Sequence, residues 1–278
     1  ILFEGLKQPV WVCGEDTKPA LLSHQVKESS IYRLIGEIRA QGFDFQKQPC
    51  LRFDWIVAED KKFFCITNHH ILYDGWGKQL ILRDFIRLLK FPSTFLPEKL
   101  NKNWYEAWSK LDHSAALESY KKYILSFDNH AEFTIIESGD SENHELKSEI
   151  STNRMNELSL SMGLTAAEVV NFCWSCFMTV WTQNPRIQYG VVKQNGLLEQ
   201  VKNGFGIGVQ TLPFQFEVDQ TKKIKELLTV FKTRERKVYD KSYVNTLDPM
   251  FNSIAYSFLI AFENYPLENS LQSVTDEF

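Results

Sequence analysis

Two adjacent histidines followed by an acid are the residues best suited to chemistry in this sequence. They lie in the segment His69–Gly75 (HHILYDG). A neutral imidazole with an ordinary pKa of about 6.5 can take a proton from an attacking nucleophile and release it later. Asp74 can orient the turn by hydrogen bonds or an ion pair, and Gly75 permits a backbone conformation that a Cβ would penalise. The segment predicts a general base, although a merely polar strand end would use the same residue types.

A zinc site is the other common use of histidine. The sequence offers no third ligand at metal-binding spacing near this segment. The remaining histidines fall in scattered polar contexts: His24, His113, His130 and His144. We therefore predict that the segment holds no metal.

A hairpin and a helix are predicted on either side of the histidines. Two β-rich runs, Leu51–Ala58 and Lys62–Asn68, are separated by a charged turn, as in an antiparallel hairpin. Trp76–Lys90 has the apolar period of an amphipathic helix. The histidines therefore lie where a strand leaves a sheet, a place where side chains commonly face a cleft.

The rest of the chain alternates between the two periods, which predicts a mixed α/β protein. Helices are predicted over Glu28–Ala40 (ended by Gly42), Trp104–Ser126, Thr152–Met162, Thr165–Thr182 (opened by a Thr165/Glu168 capping box) and Lys222–Asp240. Strands are predicted over Pro9–Cys13, Arg186–Lys193, Gly206–Val218 and Ile254–Glu263. The polar stretch Glu137–Glu145 is the candidate linker between two halves.

Composition excludes several classes of protein. The 278 residues are 44% hydrophobic and 24% charged, unlike a disordered or collagen-like chain, and fit one large domain or two smaller ones. A net charge of −4 predicts no general attraction to nucleic acid or anionic lipid. Five cysteines without scaffold spacing suit a reducing compartment, and no leader or membrane-spanning run is visible, so we predict a cytoplasmic protein without a membrane partner. The opening without Met suggests a piece of a longer chain.

Six segments in order along the chain resemble the condensation domains of nonribosomal peptide synthetases. The family signature is His-His-x-x-x-Asp-Gly followed by an aromatic residue, as in His69–Trp76. The other matches are Phe43-Asp44-Phe45 leading to Arg52 (the family has Phe-Asp-Leu leading to Pro-Leu-Leu-Arg), Trp104–Trp108, Ala116–Tyr120, Ile207–Pro213 and Phe262–Pro266. Matches in a fixed order are far more specific than one short motif.

The resemblance implies an α/β fold with two chloramphenicol-acetyltransferase-like lobes in a V around a central tunnel. The lobes would cover residues 1–140, carrying the histidine motif, and 141–278, both truncated. The implied activity is an amide-forming acyl transfer between a donor acyl or peptidyl thioester and an acceptor aminoacyl thioester. The implied partners are a donor and an acceptor carrier domain, each presenting its own 4′-phosphopantetheine arm, and a neighbouring adenylation domain.

The resemblance also assigns site residues. His70 would act as general base or as the acceptor that fixes the attacking amine, with His69 and Asp74 as supports and Gly75 as a turn residue whose amide faces substrate. Lining of the substrate tunnel would come from Trp76, Gln210, Thr211 and Asn264.

Two departures from the family bear on activity. Gln210 stands where the family has Asn, and Lys193-Gln194-Asn195 stands where it has Ser-Gly-Arg. If that arginine pairs with the motif acid, Arg52 or Lys193 would have to replace it beside Asp74. The alternatives are therefore a degenerate carrier-binding remnant without turnover and a stand-alone acyltransferase of the same fold.

Other features are expected to be structural. Cys173 and Cys176 are predicted to pack in the core. The cationic residues of Lys222-Lys223 and Arg234–Lys237 predict a solvated face, with contact to a carrier domain as the alternative.

Overall fold

A computed structural model describes residues 19–46, 49–93, 103–125, 145–147, 150–194, 206–240, 242–244, 246, 248–252, 254 and 258–263. The predicted strand Pro9–Cys13 and nearly all of the candidate linker lie outside these residues. The described chain forms two compact units. Unit 1 runs to Ile81 and includes Gly206 and Ile207, and unit 2 comprises the other described residues.

Unit 1 is a three-stranded sheet with one helix between β1 and β2 and the start of another after β3. Its elements are β1 (Ala20–Val26), a 3-10 turn (Glu28–Ser30), α1 (Ile31–Ala40), β2 (Leu51–Ala58), β3 (Lys61–Asn68) and the start of α2 (Gly75–Lys90). β2 lies in the middle, parallel to β1 and antiparallel to β3, so the predicted hairpin is confirmed. Gly42, at φ +59°, follows the end of α1 as predicted.

The described part of unit 2 contains the rest of α2, six further helices and a second sheet. Its helices are α3 (Asn103–Ser109), α4 (His113–Leu125), α5 (Thr152–Met162), α6 (Ala166–Thr182), α7 (Ile224–Tyr239) and the short α8 (Pro249–Asn252). Its strands are β4 (Arg186–Gln194), β5 (Val209–Glu217) and β6 (Leu259–Ile260), in the order β5-β4-β6. The capping box at Thr165 and Glu168 is present as predicted.

The core of unit 2 is aromatic. Phe231 of α7 lies 5.4 Å from Phe172 and Phe214 and 5.2 Å from Phe216, measured between ring centroids. Two tyrosines of α4 satisfy the backbone at the outer edge of β5. The Tyr120 hydroxyl donates to the Pro213 carbonyl (2.7 Å), and the Gln215 amide donates to the Tyr123 hydroxyl (2.8 Å). The helix therefore covers a strand edge that would otherwise present unpaired groups.

Two predicted elements are shorter than expected. The predicted helix Trp104–Ser126 is two helices, because Asp112 accepts the Ala115 amide (2.9 Å) and so starts α4 as a new helix. Within the predicted strand Ile254–Glu263, the described strand is only β6, which pairs with Gly190 and Val191 of β4. The described residues from Phe258 to Glu263 are partly buried or exposed, so an apolar run does not by itself establish a strand buried on both faces.

The prediction that both cysteines of α6 pack in the core is wrong for Cys173, which is exposed, while Cys176 is partly buried. Among the described helices, none alone has the length and hydropathy of a membrane span. The α5–α6 pair, bent by 81°, reaches that threshold by length and composition only.

A buried tyrosine makes the stability of unit 2 sensitive to alkaline pH. Tyr189 is fully buried, and burial raises the pKa of its phenol well above the ordinary value of about 10. The unfolded chain therefore loses this proton first, so the contribution of Tyr189 to stability is constant below about pH 10 and falls above it. We expect one such group to contribute a slope of up to about −1.4 kcal/mol per pH unit.

The slope can be measured by urea unfolding between pH 8 and 11. Tyr189→Phe should flatten it by up to that amount, whereas Tyr32→Phe, on the exposed face of α1, should leave it unchanged. Equal slopes in Tyr189→Phe and the parent protein would contradict the prediction.

Candidate active site

The segment that carries the two histidines forms a tight turn between β3 and α2. The His69 amide donates to the Cys50 carbonyl (3.0 Å), which continues the β2–β3 ladder by one bond. The Leu72 amide then donates to the His69 carbonyl (3.1 Å). His70 and Ile71 are therefore the two central residues of a hydrogen-bonded turn.

The His69 ring is part of the scaffold of this turn. Its Nδ1 accepts the Ile71 amide (3.1 Å), and the Phe45 ring lies perpendicular to it with centroids 4.8 Å apart. Because Nδ1 accepts, the neutral ring carries its proton on Nε2. These contacts are consistent with the expectation that His69 stabilises the turn beside His70.

His70 is exposed, as His69 is, but unlike His69 its side chain makes no hydrogen bond or ion pair with any described residue. Its backbone is held by the turn, while its imidazole is accessible. A general base needs this combination, because it must meet a substrate proton in a fixed position.

Asp74 is the N-cap of α2. Its Oδ1 accepts the amides of Trp76 (3.0 Å) and Gly77 (3.2 Å), and its own amide donates to the Gly206 carbonyl (3.3 Å). The side chain is almost fully buried. A carboxylate at this end of a helix also interacts favourably with the helix dipole. Of the two roles expected of Asp74, the structure shows the hydrogen-bonding one.

The two cations expected to replace the family arginine beside Asp74 have other carboxylate partners. Arg52 Nε lies 3.7 Å from Asp54 Oδ2, and Lys193 Nζ lies 2.5 Å from Glu235 Oε2. Arg52 also donates to the Ile38 carbonyl (2.6 Å). The described contacts therefore assign both cations to other structural pairs.

A family model described as the condensation domain matches residues 18–277, nearly the whole chain. The chain belongs to the condensation-domain family.

Relatives of this condensation domain are bacterial peptide synthases. Bacitracin synthase 3 from Bacillus licheniformis is 23% identical over 253 residues, covering 84% of this chain and 4% of that protein. Surfactin synthase subunit 3 from Bacillus subtilis is 21% identical over 272 residues, covering 92% and 21%. This chain thus spans a small part of the length of these relatives.

The fold is that of solved condensation domains. The first condensation domain of the CDA synthetase superposes with a TM-score of 0.64 at 13% identity, covering 90% of this chain and 62% of that one. The predicted family, the condensation domains of nonribosomal peptide synthetases, is therefore confirmed. These matches favour a synthetase domain over the two alternatives.

The other predicted site residues fall in both units. Trp76, partly exposed, lies in the first turn of α2 in unit 1 with the histidines. Gln210 and Thr211 are partly buried on β5 of unit 2, and Asn264 lies outside the described residues. The Gln210 Oε1 atom is buried and has no hydrogen-bond partner among the described residues. A bound group with an N–H or O–H would satisfy it.

A buried polar cluster beside the site was not predicted. The fully buried Asp54 lies between Arg52 and His24, whose Nε2 is 2.8 Å from Asp54 Oδ1. Arg52 and Asp54 are two residues apart on β2, so they share its buried face. Two charged residues at that spacing in an otherwise apolar strand were a usable signal for this cluster.

The glycine at which the structure shows a steric requirement near this turn is Gly77. Gly75 is the first residue of α2, and the described glycines with positive φ are Gly42, Gly163 and Gly206. The expected special backbone at Gly75 is therefore wrong. At Gly77, a Cβ would lie 2.4 Å from the Cβ of the buried Tyr73. The first turn of the helix packs here directly on the turn that carries His70.

We expect Gly77→Ala to destabilise unit 1 by about 1–3 kcal/mol, because the added methyl must displace the start of the Tyr73 side chain. Hydrogen exchange of the β2 and β3 amides measures this. Gly36→Ala in α1 is the matched control, since a Cβ there meets nothing within 4 Å. It should instead stabilise by about 0.5–1 kcal/mol. Equal effects at both glycines would show that contact with Tyr73 does not matter.

Proposed function

We propose that this condensation domain forms an amide between two carrier-bound thioesters, a donor acyl or peptidyl group and an acceptor aminoacyl group. The observation that carries the proposal is the exposed His70 imidazole on a turn whose backbone, neighbouring ring and following helix are all fixed by hydrogen bonds. The family supplies the reaction class. The 4′-phosphopantetheine arms belong to the carrier-bound substrates.

In the proposed reaction, the acceptor amine attacks the donor carbonyl, a C–N bond forms and the C–S bond breaks. His70 accepts the amine proton, and that proton goes to the departing thiolate. A positioned base accelerates such a step about 10²- to 10⁴-fold. Orientation of two tethered substrates supplies more, because it replaces a bimolecular encounter.

The supporting residues act through geometry. Asp74 fixes where α2 begins, and His69 fixes the Ile71 amide, so His70 is held between two constrained neighbours. The Gly75 amide and the Trp76 side chain would lie beside the substrate. Gln210 would offer its buried amide oxygen to a substrate N–H, with Thr211 and Asn264 completing the lining.

The finer architecture belongs to the same proposal. It comprises two chloramphenicol-acetyltransferase-like lobes, residues 1–140 and 141–278, in a V around a tunnel. The condensation-domain likeness at a TM-score of 0.64 supports it. Donor and acceptor carrier domains and an adjacent adenylation domain are the proposed partners, and the cytoplasm is the proposed location.

The test uses the whole chain with two carrier domains, one loaded with a donor aminoacyl arm and one with an acceptor aminoacyl arm. Intact mass of the acceptor carrier should show the dipeptidyl product above a control lacking this chain. No product from a protein that still binds loaded carrier would favour the degenerate remnant. Transfer from acyl coenzyme A to a free amine, without carriers, would favour the stand-alone transferase.

A further inference from the structure

Two phenylalanines in the segment Gly42–Gln46, between α1 and β2, contact the side chains of Arg52 and His69. Phe43 lies under the Arg52 guanidinium, with Cζ 5.2 Å from the ring centroid. Phe45 packs perpendicular to the His69 ring at 4.8 Å. The family pattern has Leu where this chain has Phe45, and a leucine cannot make a ring-to-ring contact. The proposed mechanism gives neither phenylalanine a role.

Phe43 packs against an arginine whose own position is fixed by other contacts. Arg52 is held by the Ile38 carbonyl (2.6 Å) and by the buried Asp54 carboxylate (3.7 Å), which also contacts His24. A guanidinium over an aromatic face is attractive, more so when partly desolvated. Within the segment, Asp44 Oδ1 accepts the Gln46 amide (3.1 Å), which fixes the chain around Phe45.

The Phe45 end determines where the His69 ring can lie. Rotation of that ring would break the bond between Nδ1 and the Ile71 amide, and Ile71 directly follows His70. Perpendicular ring pairs contribute about 0.5–1.5 kcal/mol beyond their buried area. Phe45 therefore favours the one His69 orientation that closes the turn.

We propose that Phe45 is a positioning residue, acting through His69 and the Ile71 amide to hold His70 in its reactive place. This inference rests on the proposed function for its catalytic consequence. Its structural consequence, protection of the Ile71 amide, can be measured without any turnover.

The test compares hydrogen exchange at the Ile71 amide in Phe45→Ala, Phe45→Leu and Phe45→Tyr. The ring-pair energy predicts about 2- to 10-fold faster exchange in Phe45→Ala, with a smaller increase in Phe45→Leu and recovery in Phe45→Tyr. In the two-carrier assay, kcat should fall by a similar factor while KM for the acceptor carrier stays unchanged.

Phe63→Ala, at a half-exposed site in β3 of the same hairpin, is the matched control and should leave Ile71 exchange unchanged. If Phe45→Ala does not fold, Phe45→Leu, which keeps most of the volume, decides the question. Unchanged Ile71 exchange in Phe45→Leu and Phe45→Ala, or an equal change in Phe63→Ala, would overturn the inference. A parent protein without turnover would sink the proposed function and leave the exchange result interpretable.

Discussion

His70→Ala is expected to lower kcat for dipeptide formation about 10²- to 10⁴-fold, with little change in KM for either carrier. The imidazole is exposed and has no described partner, so its removal breaks no described contact and should leave the free energy of unfolding unchanged. Some turnover should remain, because the thioester is already activated and both substrates stay oriented. The measurement is the rate of product appearance by intact mass at saturating carriers.

Added imidazole gives this variant its control. Since the His70 side chain is accessible, free imidazole can reach the vacated position and should recover part of the lost rate in His70→Ala. Imidazole should have no effect on the parent protein. Product formation at the parent rate in His70→Ala would contradict a role for His70 in the chemistry. Identical thermal unfolding curves for His70→Ala and the parent protein would exclude a folding defect as the cause of slow turnover.

The elements around His70 could be predicted from the sequence because their signals are local. Alternation over β2 and β3 and the apolar period of α2 placed these elements to within a residue. The capping role of Asp74 was also readable in principle, since an Asp just before a helix commonly accepts the first free amides. The motif spacing alone predicts only that Asp74 orients the turn.

The features missed by the sequence analysis depend on contacts between separate segments. β1 has weak alternation and is defined by its parallel pairing with β2, in which Ala20 pairs with Arg52 and Val26 with Ala58. Phe45 and His69 are likewise brought together by the sheet rather than by spacing. Gly77 was missed for another reason: its crowding against Tyr73 arises within one helical turn, but a sequence pattern does not give the distance between two Cβ positions.

Lys193 shows why a charge cannot be assigned a partner from a family pattern alone. The sequence made it a candidate to pair with Asp74, but its described partner is Glu235 of α7, at 2.5 Å. Glu235 also accepts the Asn171 side-chain amide (3.1 Å), and its carboxylate is only 3% exposed. The cluster of Lys193, Asn171 and Glu235 therefore connects β4, α6 and α7. Lys193 is also the residue of β4 that pairs with Gln210 of β5.

We expect Lys193→Met to destabilise unit 2 by about 3–5 kcal/mol, because it leaves the buried Glu235 carboxylate without its cation. Adding Glu235→Gln should recover most of the loss, since the double variant has no buried charge and keeps an acceptor for Asn171. Hydrogen exchange of the β4 and β5 amides reports the change. Lys121→Met, which breaks an exposed ion pair with Glu118 on α4 of the same unit, is the control and should cost under about 0.5 kcal/mol. A loss in Lys193→Met no larger than in Lys121→Met would mean that solvent reaches Glu235 and that the cluster does not stabilise unit 2.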